Sequence, residues 1–145
     1  MNPAWIILLV FAANALIWIP VIVWMRRRSA RLAKDTQDSI TLSGEQTILG
    51  PESVLFQKPM FHRFGVIGGN AVATLTDKRL VISPLAGSRV EIPLSDIVEI
   101  RQSKWYRGNY RGGYTHVILT LQDGKEVALL VIDPERWVEA LHRKT

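Results

Sequence analysis

From Ala4 to Met25 the chain reads AWIILLVFAANALIWIPVIVWM, a run without a single charge. A helix rises ~1.5 Å per residue, so about 20 apolar residues cross a hydrocarbon layer roughly 30 Å thick. The run meets that length. Trp5 and Trp24 stand at its two ends, about 28 Å apart on the same rise, where amphipathic indoles favour the headgroup region. Asn14, near the middle, either hydrogen-bonds across to a partner helix or is simply tolerated in a strong span. Pro20 introduces a mild kink of the kind lipid-embedded helices accept.

The flanks give the segment a direction. No Lys or Arg precedes it, whereas Arg26, Arg27, Arg28, Arg31 and Lys34 follow it with no acid among them. Positive charge is retained on the cytoplasmic side. The expected topology is a single pass through a plasma (inner) membrane, with the N-terminus outside and the rest of the chain cytoplasmic. A cleaved signal peptide is the main rival, because Ala13-Asn14-Ala15 looks like a small-x-small cut site. The missing basic n-region and the apolar residues that continue after Ala15 argue against it. The basic run sets topology and also suits juxtamembrane contact with anionic lipid, at about 1 kcal/mol per residue near the surface.

Five of the 18 basic residues lie in that run, and the other 13 balance the 13 acidic residues, all found from Asp35 onward. The formal charge of +5 therefore belongs beside the apolar segment, and the remainder is near neutral. A nucleic-acid partner is not expected, since that would need a basic face on the folded part. There is no cysteine, which excludes disulfides, thiolate metal sites and cysteine nucleophiles.

These contrasts divide the chain into an anchor over 1–25, a basic juxtamembrane segment and linker over 26–43, and a folded domain over 44–145. The stretch DTQDSITLSG (35–44) is polar and small, hence the linker. Beyond it, period-two alternation predicts strands over 53–58, 71–76, 79–84, 89–92, 97–102, 115–122 and 125–132. Pro59 ends the first, and Asp123-Gly124 reads as a type I′ turn between the last two. The period then changes. Asp133 is a good N-cap and Pro134 suits the first helical position, while Trp137, Val138 and Leu141 share one face of a short helix. The fold class expected is mainly β: one transmembrane helix, then a seven-stranded antiparallel β-sandwich or barrel capped by a C-terminal α-helix that buries Trp137 and Leu141.

Three motifs in register resemble a known family. Leu75-Thr76-Asp77-Lys78-Arg79-Leu80 is similar to the Leu-Thr-(Asp/Asn)-x-Arg-Leu signature of bacterial and GRAM-type members of the pleckstrin-homology (PH) superfold. Glu91-Ile92-Pro93-Leu94-Ser95-Asp96-Ile97 is similar to its step from fourth to fifth strand, and Asp123-Gly124-Lys125 with Trp137 fits its last hairpin and helix. The resemblance spans about residues 44–143. It implies a seven-stranded, non-enzymatic module that binds lipid headgroups, peptides or proteins, in a family with membrane-anchored members and some ring-forming relatives. One departure stands out. Members that bind phosphoinositides cluster Lys and Arg around the first strand and its loop, and this chain offers only Lys58, His62 and Arg63 there. A high-affinity inositol phosphate pocket is not expected.

Two segments are candidate surfaces. Pro59 to Asn70 (PMFHRFGVIGGN) is unusually apolar for a loop; Lys58, Phe61, His62, Arg63 and Phe64 either face a membrane or partner, or continue the first strand and cap the core. Arg101 to Tyr114 (RQSKWYRGNYRGGY) interleaves Arg101, Lys104, Arg107 and Arg111 with Trp105, Tyr106, Tyr110 and Tyr114 and has no acid. That mixture suits an anionic or peptide ligand through charge and stacking, or else a solvated loop whose rings pack on the sheet. Catalysis is not expected. His62, His116 and His142 lack metal-ligand spacing, His116 alternates onto the polar face of its strand, and no Ser sits in a GxSxG elbow. No cofactor or metal is expected. The function expected is a membrane-anchored adaptor or scaffold that binds a protein partner or self-assembles; the alternative is an anionic-lipid-sensing module at the inner leaflet.

Overall fold

A computed structural model describes residues 3–61 and 64–144, with the side chains of residues 3, 60, 61, 64 and 65 outside the description. Helix α1 runs without a break from Pro3 to Leu42, through Pro20. Its first half stands clear of everything else: Trp5, Phe11, Leu16 and Trp24 are all exposed, on a helix long and apolar enough to cross a membrane. Asn14 turns its amide onto its own helix, Nδ2 donating to the Val10 carbonyl at 2.9 Å.

The expected linker is helix. Its polar residues hold the helix against the outer face of a sheet: Ile40 is 1% exposed, and the buried Thr36 hydroxyl hydrogen-bonds Ser83 Oγ at 3.0 Å. Gln37 Nε2 donates to Thr47 Oγ1, and Arg89 donates to Ser39 Oγ at 2.8 Å. Gly44, at φ +68°, then stops the helix in the left-handed conformation. The amide of Gly44 bonds the Thr41 carbonyl and that of Glu45 bonds Ile40, the paired bonds of a Schellman turn.

The sheet has seven antiparallel strands in the order β4-β3-β2-β1-β9-β8-β5: β1 Thr47–Phe61, β2 Phe64–Thr76, β3 Arg79–Pro84, β4 Val90–Pro93, β5 Ile97–Ser103, β8 His116–Leu121 and β9 Glu126–Leu130. A separate two-stranded ribbon, β6 (Trp105–Tyr106) and β7 (Asn109–Tyr110), interrupts the path from β5 to β8. The edge strands β4 and β5 are consecutive in sequence, joined only by the 3-10 turn Leu94–Asp96. So short a link forces the two edges toward each other, and the sheet curls around one core instead of splitting into two stacked sheets. Ala73, Leu75, Leu80, Ile82, Val117, Leu119 and Leu129 line that core. Helix α2 (Pro134–His142) closes it with the fully buried Trp137 and Leu141. Asp133 caps α2 by accepting from the Arg136 amide at 3.1 Å, and Glu52 accepts both Trp137 Nε1–H at 2.9 Å and the Ile132 amide at 3.1 Å.

Pro59 does not end β1. β9 pairs with β1 only from Leu55 to Gln57, so beyond that point one side of β1 is a free edge where a missing amide costs nothing. β1 and β2 therefore continue as a long hairpin, paired as far as Phe61 and Phe64.

The LTDKRL motif is a clamp on the end of α1. Arg79 pairs with Glu45 at 3.1 Å and with Glu91, which Arg89 also grips at 3.0 Å. Thr76 Oγ1 donates to Glu45 at 2.9 Å and accepts from the Lys78 and Arg79 amides, while Asp77 accepts from the Gln46 amide. Burial works to raise the Glu45 pKa, but the hydrogen bonds from Thr76 and Arg79 outweigh it and hold the carboxyl below its ordinary value of 4.5. A depressed carboxylate contributes stability above its unfolded pKa and loses it as pH falls through the folded one. Two substitutions test this account. In the detergent-solubilised full chain, Ile40→Ala is expected to cost about 2–4 kcal/mol through the cavity it leaves. Arg79→Met is expected to cost about 1–3 kcal/mol through lost charge-assisted hydrogen bonds, read by Trp fluorescence during thermal unfolding. Unchanged unfolding in both would mean that α1 is not part of the folded unit.

Candidate functional site

The Arg101–Tyr114 segment is an ordered hairpin folded back over the outer face of β8 and β9. Arg107 (φ +46°) and Gly108 (φ +79°) at its tip both lie in the left-handed region, the requirement of a type I′ turn. The Asp123-Gly124 corner, by contrast, has only Gly124 at positive φ, with the Gly124 amide bonded to Leu121 and the Leu121 amide to Lys125. It is the three-residue form with a bulge, not the I′ turn expected there.

The structure sorts the eight candidate side chains of this hairpin into two groups. Tyr106 is buried against Ile118, Ala128 and Val66, and its hydroxyl donates to the Glu126 carbonyl at 3.4 Å. The Glu126 carboxylate pairs with both Arg101 and Arg107 at 3.1 Å. These three residues fasten the hairpin down. Lys104, Trp105, Tyr110, Arg111 and Tyr114 remain exposed, with the Trp105 and Tyr110 rings 5.0 Å apart. Among the described residues, Lys104 and Arg111 have no ion-pair partner. Glu126 went unrecognised as the anchor because a glutamate after a turn reads as solvent-facing, and only its position opposite the hairpin reveals the role.

His116 is not on a polar surface. The hairpin covers its face of β8, and the ring is fully buried with Nδ1 3.2 Å from the Ser103 carbonyl, 6.1 Å from the Tyr106 ring between centroids. A carbonyl only accepts, so the proton of the neutral ring sits on Nδ1. Burial pushes the imidazole pKa below its ordinary value of 6.5; the Ser103 bond opposes that and the nearby Arg111 charge reinforces it.

Beside the apolar half of α1, Arg26, Arg27, Arg28, Arg31 and Lys34 are all exposed, and the Arg28 guanidinium lies 5.5 Å from the Trp24 ring. Lys58 is exposed, and with Trp24, Phe56 and Ile67 it lines a cavity of about 470 Å³ beside the end of the apolar run. His62 and Arg63 lie outside the described residues, as do the side chains of Phe61 and Phe64; the backbones of Phe61 and Phe64 pair at the hairpin ends of β1 and β2. Two grooves of about 440 and 540 Å³ meet at Ser53 and Leu55, one walled by Met25 and Arg26 of α1, the other by Tyr110, Arg111 and Tyr114 of the hairpin. Among the described residues there is no cluster of three or more His, Cys, Asp or Glu that would hold a metal.

No protein-family model matches the chain, and no curated protein matches it. Solved structures similar to the chain include the following two. One is the crystal structure of the C-terminal domain of an unknown protein from Leishmania infantum, with a TM-score of 0.52 and 16% identity over 77% of this chain and 94% of that one. The other is the Vps36 N-terminal PH domain, with a TM-score of 0.47 and 20% identity over 70% and 82%. The first likeness shows a shared fold and carries no function. Strand order, the link between edge strands and the closing helix make that fold PH-like.

The buried imidazole has a measurable consequence. Folding holds His116 neutral where the unfolded ring takes up a proton near its ordinary pKa of 6.5. Its contribution is complete above that pH and is lost as the pH falls from there toward the lower folded value. The melting temperature is expected to drop as the pH falls through and below 6.5, above the range where Glu45, held under 4.5, titrates. His116→Gln should flatten this slope while lowering the melting temperature overall. An unaltered slope would exclude His116 as its source.

Proposed function

We propose that this chain is a non-enzymatic, membrane-anchored docking module. In this reading α1 spans the inner membrane with its N-terminus outside, the PH-like domain sits in the cytoplasm, and the hairpin binds a protein partner or a second copy of the chain. One observation carries the proposal: Lys104, Trp105, Tyr110, Arg111 and Tyr114 are exposed on a hairpin that other residues fasten to the sheet. Trp, Tyr and Arg dominate binding energy at protein interfaces. Tyr106 and Glu126 already hold the hairpin in place, so binding would order little new structure.

A second reading, contact with anionic lipid of the inner leaflet, is favoured by the shared cavities. α1 residues at the end of the apolar run line grooves together with β1 and β2, which supports a domain seated against the bilayer rather than hanging from a tether.

Affinity purification of the detergent-solubilised full chain should recover a stoichiometric partner or a homo-oligomer. Trp105→Ala/Tyr110→Ala is expected to lower that recovery more than tenfold, on a basis of about 2 kcal/mol per hot-spot side chain, with only the small fall in melting temperature that losing one cross-strand aromatic pair brings, about 1 kcal/mol or less. A clean monomer from the unaltered chain would sink the docking reading. Topology is checked separately. The chain has no cysteine, so a single Cys introduced near either end reports its side. A membrane-impermeant maleimide should label the N-terminal one on intact cells and the C-terminal one only after permeabilisation.

A further inference from the structure

The two grooves that meet at Ser53 and Leu55 form one trough across the outer face of the sheet. α1 covers the face over β2 and β3, and the hairpin covers it over β8 and β9; the trough is the strip between them. Its floor is largely apolar, with Leu55 and Leu130 partly buried and Ile132 87% exposed. Its two walls each carry one cation, Arg26 and Arg111. No acidic residue lines either groove, and among the described residues neither arginine has an ion-pair partner. This is an apolar slot with positive charge at both rims.

The position of the slot selects its occupant. Met25 is the last residue of the apolar run and Arg26 the first cation after it, and both line the trough. If α1 spans the bilayer, the trough opens at headgroup depth. We propose that it holds one anionic phospholipid drawn from the leaflet facing the domain, with its phosphate between Arg26 and Arg111 and its glycerol and upper acyl chain on Leu55, Leu130 and Ile132. A phosphate oxygen accepts charge-assisted hydrogen bonds from guanidinium groups, and the acyl carbons remove exposed apolar surface from water. An acidic protein segment has the matching charge, but it would need to reach this depth beside the span, where lipid is already present at high local concentration. Lys58, one of the positions where the PH resemblance would place a headgroup pocket, lines neither groove. The proposal rests on the lipid reading above and on membrane anchoring.

Photocrosslinking in native membranes tests it. A benzophenone amino acid replaces Ile132 in the full chain, and intact mass is measured after irradiation. The expected adduct is one phospholipid, enriched in anionic headgroups over their share of the bulk membrane. Arg26→Gln/Arg111→Gln should reduce it at least tenfold; Arg27, Arg28, Arg31 and Lys34 still hold the orientation in that variant. Arg136→Gln/Lys144→Gln, on cations outside the trough, should leave it unchanged. A protein adduct would assign the slot to a partner and overturn the lipid. So would the absence of an adduct, an adduct equal in both arginine backgrounds, or headgroups in bulk proportion. Alkaline carbonate extraction of the same membranes separates the two levels of failure. Release of the chain sinks the anchor itself, whereas a retained chain without the lipid adduct sinks only this site.

Discussion

The structure depends on the docking of the second half of α1 against the outer face of the β2–β3 sheet. A PH-like barrel alone would leave that face wet, yet Val72, Thr74, Val81 and Ser83 are all buried here. Ile40 and Thr36 do the covering, and the charges around Arg79 lock the helix end in register. The apolar run, the basic turn and the domain thus follow one another along a single helix with no joint between them. A flexible linker would let the domain sample all orientations. A continuous packed helix gives it one, and so decides which strands lie beside the end of the apolar run.

Most of the strand framework is legible in the sequence because its faces differ in chemistry. β3 and β8 carry aliphatic runs and the Asp133-Pro134 cap marks α2 clearly, whereas in β5 a register shift after Ile97 turns Val98, expected to face inward, out to solvent. The docked half of α1 is not legible in the same way. Its contact stripe is Ser29, Leu32, Ala33, Thr36, Gln37 and Ile40, a helical spacing built mostly from small or polar residues. A hydrophobicity pattern has nothing to register there, and small polar residues are what a linker also contains. The packing tolerates them because the opposing face is itself partly hydroxylated, with Thr36 meeting Ser83.

The same limit explains His116 and the hairpin. Alternation places residues on one face of a strand or the other, but whether the second face is wet depends on what folds over it. Here a distant hairpin, secured by Tyr106 and by Glu126 on another strand, covers it. The aromatic and cationic composition of Arg101–Tyr114 suggested recognition as a whole, whereas the structure divides it between fastening and presentation. Arg107 shows why composition alone cannot make that division. It occupies a left-handed position that Gly or Asn fills more easily, and its guanidinium is bound to Glu126, so its selection there reflects the hairpin's attachment.

These two coverings also account for where open surface remains. The inner face is filled by core, and the outer face is occupied on one side by α1 and on the other by the hairpin. What they leave is the strip at Ser53 and Leu55 between them and the outward surface of the hairpin itself. Among the described residues each carries cations without an ion-pair partner: Arg26 and Arg111 at the strip, Lys104 and Arg111 on the hairpin. On the folded part three acids, Glu45, Glu91 and Glu126, hold four arginines, Arg79, Arg89, Arg101 and Arg107, and no acidic residue lines either groove beside Arg26 or Arg111. The positive rims follow from the absence of any acid in the two grooves, and an anionic or acidic ligand is the chemistry that such rims can complete. Arg111 belongs to both surfaces, so the strip and the hairpin share one cation, and a ligand that engages it at one is in competition with a ligand at the other.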